Sequence, residues 1–89
     1  MADNICWHQR AQEGFNQLIE KTPVFLRPIA KDKVSKKALS LVLQDKRLEV
    51  TEKDVIDAFF AETPFGFHGP MKTDMESIGV DYTKYGYSR

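Results

Sequence analysis

Cysteine is nearly absent: Cys6 is the single one in 89 residues, which excludes an internal disulfide framework and fits a reducing compartment. Net charge is absent as well. Thirteen Lys and Arg balance thirteen Asp and Glu, giving a formal charge of zero and a pI near 6.7. That excludes a surface that is basic throughout, as in a histone-like protein, and an acidic disordered tail. Long apolar runs are missing too, none approaching the ~18 residues that cross a bilayer, so no membrane association is expected. The start, Met1-Ala2-Asp3-Asn4, has no basic segment followed by an apolar one. No signal peptide is therefore expected, and the expected compartment is the cytoplasm.

Catalytic signatures are equally scarce. The chain has no Gly-x-Ser-x-Gly, no Gly-rich phosphate loop and no His-Glu-x-x-His. Cys6, His8 and His68 are the only soft or imidazole ligands, and a closed zinc site wants four. On a helix Cys6 and His8 point apart, so they make a poor nucleophile–base pair. The simpler reading is a half-buried thiol and solvent-facing histidines. No catalytic residue, metal or cofactor is expected.

What is present describes a small soluble domain, 42% apolar and 29% charged. Trp7, Ala11, Phe15, Leu18 and Ile19 share one stripe at helical spacing, which predicts a first helix over residues 7–21. Thr22-Pro23 ends it, because a residue before proline is driven out of the α region. A second helix runs from about Val24 or Pro28 to Gln44, since proline is tolerated only in a first turn. Ala30, Val34, Ala38, Leu41 and Val42 are its buried stripe. Leu48 to Val50 reads as an extended link. Thr51-Glu52-Lys53-Asp54 resembles a capping box and opens a third helix to about Glu62 that buries Val55, Ala58 and Phe59. Pro64 to Pro70, with two Gly and two Pro, is expected to be a loop. Thr73 would then cap a short helix from Asp74 to Ile78, ended by Gly79. Val80 to Arg89 lacks a period and is expected to be partly disordered. No internal repeat is evident. The predicted fold is all-α: a compact three-helix domain over residues 1–62, with a loop, a short extra helix and an aromatic C-terminal tail over residues 63–89.

Two asymmetries bear on function. Residues 27–53 carry eight bases against four acids, so the overall zero conceals a basic middle. Seven of the ten aromatic residues lie in the last 31 positions, where they either cover the core or form a contact surface. Together they suggest a contact surface built from Arg27, Lys31, Lys36, Lys37, Phe65 and Phe67, with charge to orient a partner and aromatics to supply buried area. The expected function is a small accessory or protein-interaction module, monomeric or weakly homodimeric, without independent catalysis. Nucleic acid is the lesser alternative partner. The same lysines would contact phosphates, and Arg47-Leu-Glu-Val-Thr-Glu-Lys-Asp-Val-Ile-Asp-Ala resembles the last loop and helix of histone-fold proteins.

Leu18-Ile19-Glu-Lys-Thr-Pro23-Val-Phe25-Leu26-Arg27 resembles the "L…(I/V)P-x-F-V-R" segment of the protochlorophyllide-reductase-like domain. Trp7 with Ala11, Ala38, Val50-Thr51, Val55 and Ala58 extend the resemblance, while Val34 stands where that family has an acidic residue. Residues 63–89 have no counterpart in it. The resemblance implies a compact three-helix domain serving a redox assembly, with a redox-enzyme subunit as partner and no catalytic residue of its own. It also implies a further alternative, a substrate-capping component that shields a tetrapyrrole-like compound with Phe65 and Phe67.

Overall fold

Two Thr-Pro dipeptides, at residues 22–23 and 63–64, divide the chain into segments of one design. The computed structural model describes residues 5–89. A two-residue strand β1 (Cys6–Trp7) leads into helix α1 (Gln9–Lys21), then a 3-10 turn (Val24–Leu26) and helix α2 (Arg27–Gln44). The second half repeats that order: β2 (Glu49–Val50), α3 (Glu52–Glu62), a 3-10 turn (Phe65–Phe67) and α4 (His68–Ser77). A last 3-10 turn, Tyr82–Tyr85, closes the chain. The architecture is all-α.

The repeat overturns the expectation that there is none. It escapes notice because equivalent positions keep their geometry and not their residue type. Thr22 and Thr63 both leave their helices in extended conformation, the region a following proline favours. After each proline a basic side chain folds back on the corner. Arg27 donates from Nε to the Thr22 carbonyl at 2.9 Å and from Nη2 to the Glu20 carbonyl at 2.7 Å. At the equivalent position His68 donates from Nε2 to the Thr63 carbonyl at 2.8 Å. Both latches satisfy carbonyls left open where a helix ends.

The second helix of each half also ends the same way. Beyond α2, Lys46 takes a left-handed φ of 56°, with Lys46 N–H donating to Leu43 O and Arg47 N–H to Val42 O. Beyond α4, Gly79 takes φ 82°, with Gly79 N–H donating to Glu76 O and Val80 N–H to Met75 O. These are paired Schellman closures. The strands pair in parallel with Cys6 opposite Glu49 and Trp7 opposite Val50, so matching residues of the two halves lie side by side. α2 packs extensively against α3, and the shorter α4 makes a smaller contact with α1.

The core lies between the halves. Ala11, Phe15, Leu18 and Ile19 from α1 meet Val34, Ala38 and Val42 from α2 and Val55, Ile56, Ala58, Phe59 and Phe60 from α3. Leu41 is only half-buried, because α2 has a partner along one narrow stripe. Residues 64–70 are not the expected loop, and Thr73 caps nothing. Thr73 lies inside α4, its hydroxyl donating to the Gly69 carbonyl. Pro70 is tolerated because it falls in the first turn, where backbone N–H groups have no intrahelical partner.

The tail is ordered, against expectation. Tyr82 is buried, and Tyr87 stacks on Phe60 with ring centroids 3.8 Å apart. Tyr82, Tyr85 and Tyr87 donate their hydroxyls to Glu76, Glu52 and Asp57 at 2.5–2.6 Å. Burial and those carboxylate partners push the Tyr85 and Tyr87 phenols well above the ordinary tyrosine range.

One charged lock sits in the interior. Asp54 is 4% exposed and completes the capping box of α3, bonding Thr51 N–H at 2.8 Å while Thr51 Oγ1 accepts from Asp54 N–H. Arg47, aimed by the turn after α2, gives Asp54 two parallel hydrogen bonds of 2.9 and 2.6 Å. Burial alone would raise the Asp54 carboxyl, but the bonds from Arg47 and Thr51 outweigh it and hold it below its ordinary 3.8. A carboxyl with a depressed folded pKa adds stability above its unfolded pKa and loses it as pH falls through the folded value. Asp54→Asn should therefore cost about 2–3 kcal/mol in urea unfolding at neutral pH. The gap between variant and wild type should close as pH drops below about 4.

Candidate docking groove

The two Thr-Pro corners face one another across a groove of about 450 Å³. Its lining comes almost entirely in pairs of equivalent residues, each 41 positions apart. Leu18 with Phe59 and Ala30 with Met71 lie on the core side. Pro23 with Pro64, Leu26 with Phe67 and Ile29 with Pro70 form the apolar shoulders. Lys21 with Glu62 and Lys33 with Asp74 carry the charge, so each equivalent pair has opposite signs. Among the described residues none of these four charged groups enters an ion pair.

Why these corners stay uncovered follows from their length. Each 3-10 turn has three residues between a proline and the next helix, too few to fold its own apolar side chains inward. Eight large apolar residues are exposed among the described ones, and six of them cluster here. They are Val24, Phe25, Leu26 and Ile29 on the first corner and Phe65 and Phe67 on the second, with Phe65 88% exposed. Scattered exposed apolar residues are ordinary, whereas Leu26, Ile29 and Phe67 line one groove together with charged residues.

The six residues selected from the sequence do not form one surface. Phe67 lines the groove, and Phe65 stands outside the second corner against His68, at 5.5 Å between ring centroids. Arg27 is half-buried and spends its guanidinium on the first corner. Lys31 borders a separate depression beside Val24 and Pro28. Lys36 pairs with Asp32 at 3.0 Å farther along α2, and Lys37 is half-buried outside the groove. Leu26, Ile29, Lys33, Glu62 and Asp74, outside the six, line the groove. Superposing the two Thr-Pro dipeptides would have aligned them.

The metal-type ligands lie apart. Cys6 is exposed, not half-buried as expected. His8 caps α1, its Nδ1 accepting from Arg10 N–H at 3.1 Å, and His68 is half-buried rather than solvent-facing. Among the described residues no group of three or more His, Cys, Asp or Glu side chains could hold a metal ion. No described helix is long and apolar enough to cross a membrane.

Residues 2–88, nearly the whole chain, match the sequence model of a family described as a protein of unknown function, DUF2621. The chain belongs to that family. The match corrects the resemblance to the protochlorophyllide-reductase-like domain, whose family does not match, and the expected tie to an oxidoreductase falls with it. The physical reason is that the residues carrying the resemblance serve general packing. Thr22-Pro23 makes a corner, and Ala38, Val55 and Ala58 fill helix contacts that many small helical domains require. No curated protein and no solved structure matches this DUF2621 chain.

If the corner residues belong to a contact surface, they should be dispensable for folding. Phe65→Ser and Phe25→Ser should each change unfolding free energy by no more than about 0.5 kcal/mol. Phe59→Ala, directly beneath the groove, should cost about 3–5 kcal/mol. Chemical denaturation of the three variants checks both expectations.

Proposed function

We propose that this DUF2621 protein is a small binding module, without catalysis of its own, that holds an apolar segment of a protein partner between its two Thr-Pro corners. The observation carrying this reading is a groove with a charged rim and a core floor, into whose lining three exposed apolar side chains, Leu26, Ile29 and Phe67, are set. Protein contacts draw most of their free energy from a few desolvated apolar anchors, with polar groups at the edge excluding wrong partners. Leu26, Ile29 and Phe67 supply the anchors, and Lys21, Lys33, Glu62 and Asp74 the rim.

On this reading the contact surface lies on the corners and not along the lysines of α2. A photo-crosslinking side chain at position 67, and separately at position 37, tests that difference in the cell that makes the protein. Position 67 should yield an adduct with a polypeptide, lost when Leu26→Asp is added, and position 37 should yield none. No polypeptide adduct from position 67, or equal adducts from both positions, would overturn the reading.

A further inference from the structure

We propose that the occupant of the groove is a second copy of this chain, forming a twofold dimer in which each copy's lysines lie over the other's carboxylates. The proposal rests on the groove being a protein-docking surface and adds the identity of the partner.

The argument comes from symmetry. The lining of the groove pairs at an offset of 41 positions, matching Leu26 with Phe67 and Ile29 with Pro70, apolar for apolar. The same offset matches Lys21 with Glu62 and Lys33 with Asp74, a positive charge with a negative one. A face patterned this way is complementary to itself. A second copy turned over by a twofold lying in the plane of the groove brings apolar shoulder against apolar shoulder. It also brings each lysine toward a carboxylate. Any other partner would need both patterns independently, whereas a second copy supplies them by construction, as an isologous interface requires. All four charged groups lie at the solvent edge without an intramolecular ion pair among the described residues. The zero formal charge of the chain adds no long-range repulsion between copies.

Sedimentation equilibrium on the full chain, over a range of concentrations, tests this with charge reversals. Wild type should be a reversible dimer. Lys21→Glu with Lys33→Glu makes the rim wholly acidic, and Glu62→Lys with Asp74→Lys makes it wholly basic. Each double variant should dissociate at least roughly tenfold more readily, because like charges then meet. An equimolar mixture of the two should recover a heterodimer, and circular dichroism should show both variants folded. That recovery separates a complementary rim from mere loss of structure. A wild type that stays monomeric, or a mixture that stays monomeric, overturns the second copy as occupant. If wild type is monomeric while position 67 still crosslinks to a different polypeptide, the docking reading stands and only the partner identity fails. A dimer that survives Leu26→Asp unchanged lies on another face and overturns the second copy as occupant.

Discussion

A residue that precedes proline is disfavoured in the helical region, and this restriction, acting at the ends of α1 and α3 on Thr22 and Thr63, governs the shape of the molecule. It stops α1 and α3 where their apolar stripes end and redirects the chain through a three-residue turn. Arg27 and His68 then tie each new helix back to the carbonyl of the threonine it left. Because both corners are made alike, α2 and α4 cross to the opposite half, and the core forms between the halves. The same device leaves Leu26, Ile29 and Phe67 at the surface around one groove.

The charged and hydroxyl contacts that brace the fold lie apart from the groove. The Arg47–Asp54 lock, the Thr51 capping box and the three tyrosine–carboxylate bonds all lie away from the groove. Asp57 also takes part in an i,i+4 bond from Lys53, whose ammonium is raised above its ordinary value by that hydrogen bond. Four of the eight bases in the middle of the chain are thus engaged within it. Arg27 braces a corner, Arg47 neutralises Asp54, and Lys36 and Lys53 meet carboxylates on their own helices. The groove shares with this framework only its floor, where Leu18 and Phe59 are buried. Its apolar shoulders are free to serve a partner.

Local signals were legible where neighbouring residues settle the structure. Thr51 and Asp54 announce a capping box four residues long, and the stripe from Ala11 to Ile19 is buried as its spacing requires. Signals failed where the deciding contact is distant or where a breaker is harmless. Gly66, Gly69 and Pro70 read as a loop, yet Pro70 sits in a helix's first turn, where its missing N–H has no role to lose. The tail has no period because hydroxyls reaching Glu52 and Asp57, 33 and 30 positions away, hold it. Apolar Leu26 and Phe67 are unremarkable apart, and only the folded chain sets them across one groove.

Dilution of isotope-labelled protein, followed by amide chemical shifts residue by residue, tests the groove and its occupant together. The account predicts shift changes with concentration confined to the two corners and the helix turns beside them, near residues 21–33 and 62–74. Shifts that are independent of concentration, or changes centred on the Lys36–Lys37 face of α2, would contradict it.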